Sequence, residues 1–446
     1  MNLPAARSAE RSGAWWPQTR KWGARALFAV LDQGLISGSN FLLGIQLARR
    51  LHPASYGAYA VAFSVFSLLL VVDQSMVLEP MSVFGGSKYG GAVRRYVGQL
   101  LRYQVLLGSA CLSLLLIATA GVYMVRQPGE LTLALLGMGI ATPSILLLYF
   151  TRRAVYLEYR SNAAAGGALL YCALLFSALW LLDQTGFLSP FTCFLDMGAA
   201  ALATSLLLLI WIRPKLVRVH GEPEFRIAHE HWRYGRWALG SSVFAWISWN
   251  AWYTIVGSLS GLAGTGALKA LMNLAMPVIQ SCAALSLLVL PHTARIVQVE
   301  GVRGAKRQAI LVGVLFAAAA AAYWLVVLAW HDPVIAFLYS GRYEEIAVCL
   351  PWLALASIAS AGTVGPVSAL RALEKPSAVC VAFFVSSLAG LAVGLPATRA
   401  YGVRGATAAI LVSCVAALGI VVSMLARDSQ SMRQSCAPEI PEAVLQ

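Results

Sequence analysis

This chain is short of charge. Only 12% of its 446 residues are Asp, Glu, Lys or Arg, against about 25% in a soluble domain. Two or three soluble domains, which the length would otherwise suggest, need more polar surface than that. Acidic residues are scarcest, 19 against 33 Lys and Arg, so the formal net charge is +14. The six histidines are scattered, and His229 and His231 flank Glu230 without the i, i+4 spacing of a zinc-binding helix face. The eight cysteines contain no C-x-x-C pair and lie mostly in apolar stretches, where a thiol packs as a small hydrophobe. Disulfides and zinc are therefore not expected. No Walker A sequence is present, which argues against an ATPase, and nothing resembles a nucleic-acid module.

What the chain has instead is apolar length. Hydrophobic residues make up 59%. Twelve stretches are long enough to cross a bilayer, at about 20 residues each: 26–48, 56–78, 100–123, 131–150, 165–183, 194–212, 237–258, 268–290, 309–330, 346–369, 378–397 and 405–426. The expected fold is an all-α polytopic membrane protein. The first stretch is too long for a signal-peptide core and is expected to be retained. Placing the amino terminus inside puts 26 basic residues in inward segments and 7 in outward ones. The positive-inside rule then sets both termini in the cytoplasm of a bacterial inner membrane. The net charge reads as topology and attraction to anionic lipid.

The chain also repeats itself. Gly57-Ala58 and Gly266-Ala267 open the second and eighth stretches. Pro80 and Pro291 close them, Arg94-Arg95 and Lys306-Arg307 precede the third and ninth, and Arg153-Ala154 and Arg371-Ala372 close the fourth and tenth. The offsets run from 209 to 218 residues, a repeat of six helices. Two six-helix lobes related by a pseudo-two-fold axis along the membrane normal follow, with a central cavity between them, an arrangement common in transporters. The expected organisation is a basic tail (1–25), a first lobe (26–212), a basic linker (213–236), a second lobe (237–426) and a tail (427–446).

Ionisable residues inside spans mark pathways or structural pairs. Arg49 and Arg50 end the first stretch on the outward side, and Lys269 lies just inside the outward end of the eighth. All three oppose the charge rule and are candidates for a cationic cavity. Arg153 and Arg371 at inward ends are candidates too, though snorkelling to headgroups also accounts for them. Asp32 and Asp73 lie at similar depth in the first two stretches. They could share a proton and couple transport, or form a structural pair with backbone or with Arg152. Glu79, beside Pro80, reads as interfacial. Gln33, Asn40 and Asn273 are candidate cavity-lining polar residues. Trp246, Trp249, Asn250 and Trp252 form an aromatic stripe in the seventh stretch, suited to a lipid-facing belt or to stacking on sugar rings. Pro143, Pro277 and Pro366 interrupt helices and are candidate hinges.

Four segments carry a resemblance: LARRLHPASYGAYAVAFSVF (47–66), GALKALMNLAMPV (266–278), FLYSGRYEEIAVCLPWLALASI (337–358) and YGVRGATAAILVSCVAAL (401–418). In order and spacing the chain resembles the polysaccharide (O-antigen type) flippases of the multidrug/oligosaccharidyl-lipid/polysaccharide exporter superfamily. The resemblance implies an alternating-access exporter with a cationic cavity. Its substrate would be an undecaprenyl-diphosphate-linked oligosaccharide, moved to the periplasmic leaflet beside membrane lipid, a polysaccharide polymerase and glycosyltransferases. No cofactor is implied beyond a coupling ion, proton or sodium. A drug/cation antiporter of the same superfamily, a membrane polymerase or ligase, and a scaffolding subunit are the alternatives. The enzyme reading suffers from outward loops no longer than about 15 residues.

Overall fold

The computed structural model describes residues 15–126, 129–158, 160–216 and 224–435. The expected tails before Trp15 and after Ser435, with Cys436, and the centre of the linker, with Arg218, Gly221 and Pro223, lie outside the described residues. Among the described residues all regular structure is helical. Twelve long helices follow in order: α1 (Trp15–Arg50), α2 (Pro53–Ser87), α3 (Val93–Arg126), α4 (Glu130–Leu157), α5 (Ser161–Gln184), α6 (Pro190–Ile212), α7 (Glu224–Leu259), α8 (Gly261–Ser286), α9 (Val289–Ala329), α10 (Glu344–Ala372), α11 (Pro376–Tyr401) and α12 (Val403–Ser435). Eleven are long and apolar enough to cross a membrane. The twelfth, α7, opens with the charged segment Glu224–Arg236 before its apolar part.

Local chemistry sets the helix ends and breaks. Ser189 and Thr192 form a reciprocal capping box at the start of α6, satisfying backbone N–H groups that no helical carbonyl can reach. Gly301, at φ 64, kinks the long run that holds α8 and α9, a conformation glycine adopts without a Cβ clash. α10 breaks at Thr363, three residues before Pro366. Proline supplies no N–H to the preceding turn and its ring crowds it. In α2, five residues (Gln74–Leu78) form a π-helical turn just ahead of Pro80.

The packing repeats. α4 lies on α6, α1 on α5, and α5 on α6. In the second lobe α10 lies on α12, α7 on α11, and α11 on α12. Two six-helix lobes result, α1–α6 and α7–α12, related by pseudo-two-fold symmetry, with the cavity between them.

The lobes meet along two seams of unequal length. On one side α2 meets α7. The Trp246 Nε1–H donates to Ser67 Oγ at 2.8 Å, and one ring nitrogen of His231 sits 2.9 Å from the Met76 carbonyl. Lys88 pairs with Glu230. On the α2 side these contacts run from Ser67 to Lys88, and on α7 from Trp246 back to Glu230. On the other side α1 meets α8 near the face where α1 ends. There Gly44 lies under Asn273, whose Nδ2 donates to the Tyr56 hydroxyl at 2.9 Å. Toward the other face Leu27, Val30 and Leu31 of α1 and Leu285 of α8 are not covered by protein. We call the face where α1 begins and α12 ends the basic face, and the opposite one the far face.

At the far face the lobes are closed. A Cβ on Gly57 would overlap the Leu262 carbonyl, and one on Gly266 the Pro53 carbonyl, so glycine is required for this backbone-to-backbone approach. Across the lobes Arg342 Nη1 donates to the Leu51 carbonyl at 2.9 Å, and within the second lobe the Tyr339 hydroxyl donates to the Ala270 carbonyl at 2.7 Å. The molecule is thus sealed at the far face, and on the α1/α8 side apolar side chains of both helices lie uncovered toward the basic face.

Candidate functional site

The cleft between the lobes is lined toward the basic face by polar side chains within the spans. Gln74 and Glu79 of α2 and Arg371 of α10 are exposed, and Arg153 of α4 is half-buried. Glu79 interacts electrostatically with both Arg371 and Arg153, and Tyr234 of α7 with Glu79 and Arg371. Arg153 and Arg371 hold equivalent places in the two halves of the repeat. Folding brings them to one carboxylate, and the trio keeps a net positive charge. Two guanidinium forks can each hold two anionic oxygens.

The other candidate cations lie elsewhere. Arg49 ties the lobes at the far face, donating to the Leu338 carbonyl at 2.7 Å and to that of Phe337, with its guanidinium over the Phe337 ring. Arg50 pairs with Asp183 of α5 at 3.3 Å, in a far-face crevice of about 130 Å³ shared with Gln46 and Trp180. Lys269 is buried in the seal, its ammonium 5.1 Å from the Phe63 ring and 5.5 Å from the Tyr253 ring. Among the described residues no carboxylate pairs with it, so aromatic faces carry its charge. Two of five candidate cations therefore reach the basic-face cleft.

Asp32 and Asp73 do not meet. Asp32 accepts a bidentate pair from Arg152, at 3.0 and 2.7 Å, and a 2.7 Å bond from the Tyr156 hydroxyl. Its carboxylate is buried and fully engaged, and breaking such a pair costs about 3–5 kcal/mol. That is a structural role. Asp73 is wholly buried, with neither oxygen hydrogen-bonded. Its neighbours on α3 are Gln104 and Cys111.

The lining candidates also separate. Gln33 is exposed on α1 and donates to Ser37 Oγ at 3.2 Å. Asn40 lines a small pocket of about 20 Å³ in the first lobe with Phe63, Phe66, Tyr149 and Arg152. Asn273 belongs to the far-face seal, and Asn250 is half-buried on α7. The tryptophans do not form one stripe. Trp246 turns into the α2 seam, while Trp252 is fully buried with its ring against Gly394 of α11. Trp249 packs at the edge of the core.

Outside the spans, the first turns of α7 dock on the first lobe. Glu230 takes hydrogen bonds from Lys88 and from the Tyr89 hydroxyl. Burial pushes its carboxyl up, but these donors and Arg226 outweigh that and hold it below the ordinary glutamate value. His231 is buried, and burial lowers its pKa, against the pull of the Met76 carbonyl and Glu230.

No family model and no curated protein sequence matches the chain. Solved structures do. An inward-facing multidrug resistance MATE family transporter of the MOP superfamily superposes with a TM-score of 0.75 at 14% identity, over 92% of this chain and 100% of that one. This chain shares the fold of that structure. An outward-facing MATE transporter gives 0.65 at 13% identity, over 92% and 96% of the two chains. A MOP transporter from Pyrococcus furiosus, described as having a binding pocket of reversed polarity, gives 0.63 at 14% identity, over 92% and 96%. The shared fold fixes the twelve-helix, two-lobe architecture. Chemistry within it must be argued from the side chains.

Proposed function

We propose that this protein is a flippase for undecaprenyl-diphosphate-linked oligosaccharides, working by alternating access with its basic face in the cytoplasm of a bacterial inner membrane. The observation that carries this reading is the Arg153–Arg371 pair, one from each lobe, at the cleft. A lipid diphosphate brings about two negative charges and a hydroxyl-rich glycan, neither of which can enter hydrocarbon unaided. Paired guanidinium groups answer the diphosphate. The uncovered apolar side chains of α1 and α8 answer the tail, since a polyprenyl chain can stay in lipid against them while its headgroup enters the cleft. A polysaccharide polymerase and glycosyltransferases would work beside it.

Glu79 favours a second reading, a drug/cation antiporter, because an exposed carboxylate in the cleft suits a cation. One experiment separates the two. In a deletion strain, complete lipid-linked repeat units should accumulate in the cytoplasmic leaflet. The wild-type gene should clear them, and the Arg153→Ala/Arg371→Ala double variant should not. Repeat units in the periplasmic leaflet, or none accumulating together with raised sensitivity to cationic drugs, would overturn the flippase reading.

A further inference from the structure

We propose that Asp73 and Gln104 form a single-proton site inside the first lobe, and that this site, rather than Asp32, couples the transport cycle to protons. Asp73 on α2 and Gln104 on α3 are both at least nine-tenths buried, and all four of their polar side-chain atoms lack a hydrogen-bond partner. They lie side by side. Such a pair is unexplained as a carboxylate beside an amide. An ionised acid there would have no counter-charge and at most one donor, a costly state in a dry interior. A neutral acid fits. Its O–H donates to Gln104 Oε1 while Gln104 Nε2–H donates to its carbonyl oxygen, so both groups are satisfied by a small adjustment.

The donor set also selects the ligand. Two carboxyl oxygens, one amide oxygen and the Cys111 thiol are too few hard ligands for a metal cation, which in oxygen sites takes about six to eight. The groups facing Asp73 support a proton alone. Cys111 is the titratable group that α3 offers it. Farther along, α7 brings His231 to the Met76 carbonyl, α4 brings Arg153, and Glu79 lies beyond the π-helical turn on α2 itself. Among the described residues no cation acts directly on Asp73. Asp32 cannot serve in this way, since Arg152 and Tyr156 already fill both its oxygens. The π-helical turn Gln74–Leu78 begins at the next residue. Such turns break the regular ladder and are frequent at functional sites. Loosening of this turn is the route by which a proton in the cleft reaches the carboxylate.

The chemistry rests on the structure alone, and only the coupling role rests on the transport reading, so one experiment tests each part. Full-length protein in lipid nanodiscs is titrated from neutral to alkaline pH by infrared difference spectroscopy. A carbonyl-stretch band of a buried carboxylic acid should be present at neutral pH and vanish with base. Asp73→Asn should remove one component of this band, which Gln104→Leu should shift in frequency, while Asp196→Asn, at the other buried acid of the lobe with an unpartnered oxygen, should leave that component in place. A spectrum that Asp73→Asn leaves unchanged overturns the site, as does a component abolished by sodium rather than by base. Should Asp73→Asn fold poorly, Asp73→Glu must move the band, and a hydrophobic carbodiimide must label Asp73 of the wild type in a pH-dependent way. In vesicles, Asp73→Asn should retain lipid binding and lose pH-driven flipping. Intact infrared behaviour with unchanged pH-driven flipping overturns the coupling role and leaves the substrate reading standing.

Discussion

The Met76 carbonyl, in the π-helical turn just ahead of Pro80, takes a hydrogen bond from across the lobes. Its partner is a ring nitrogen of His231 on α7. A carbonyl can only accept, so Nδ1 carries the hydrogen, and Nε2 accepts from the buried Tyr96 hydroxyl at 2.8 Å. This geometry needs neutral imidazole. Burial depresses the pKa, so the contact is fully present above the ordinary histidine value, about 6.5, and weakens as the pH falls below it. His231→Ala should cost about 1–3 kcal/mol by leaving the buried Tyr96 hydroxyl without its His231 partner. His231→Gln, which keeps a donor and an acceptor, should cost less and abolish the pH dependence. Thermal unfolding from pH 8 to pH 5 checks both, and equal pH profiles for wild type and His231→Gln would refute the assignment. Part of this residue scale was legible in the sequence. Arg152 was one expected partner for the two aspartates, and Asp32 takes it across 120 residues. The contact of His231 with Met76, 155 residues apart, had no signature. Spacing along a chain carries no record of partners that helix packing brings together. Arg153 and Arg371 were legible, because the repeat places them at equivalent helix ends. Glu79 was read as interfacial, and only the fold sets it between them.

At the scale of elements, hydropathy did better. Each of the twelve expected stretches lies largely within one helix, since a span needs a length and a composition that sequence displays directly. Charge hid the start of α7, which runs as helix from Glu224, inside the expected linker. Likewise α1 begins at Trp15, within the expected tail. The π-helical turn in α2 had no signature beyond the proline that follows it. The paired glycines did have one. Gly57 and Gly266 open α2 and α8, and their backbones meet in the far-face seal. A side chain there has no room that a small shift could provide. Gly57→Val should therefore hold the far face open. An Ala270→Cys probe, buried in the seal, should react with a membrane-impermeant thiol reagent from the far side in that background and not in the wild type. Equal protection in both would show that the seal forms without the glycine pair.

The whole molecule is symmetric in its lobes and asymmetric in how they are joined. α2 and α7 touch from Ser67 to Lys88, and α1 and α8 touch at Gly44 and Asn273 near the far face. Motion between the lobes is thus expected to pivot on the α2–α7 seam. A cross-link between Leu31→Cys and Leu285→Cys would bridge these two helices. It should block flipping of a lipid-linked substrate while leaving folding and the α2–α7 contacts intact. Unimpaired flipping in the cross-linked protein would mean that the substrate enters elsewhere. The two-lobe plan could be anticipated from the repeat, but the asymmetry could not, because both seams are built from similar apolar and small residues.

The exposed halves of α1 and α8 have a consequence for the solvent around them. In the open state their apolar side chains rest on acyl chains, and closing would exchange those contacts for protein. α1 alone, at 36 residues, is about 54 Å long at 1.5 Å rise per residue, well beyond the thickness of an average bilayer core, so it must tilt or protrude. The balance between open and closed forms is therefore set partly by the membrane itself. Bilayer thickness and acyl-chain order act here as ligands do elsewhere, by favouring one shape of the protein over another.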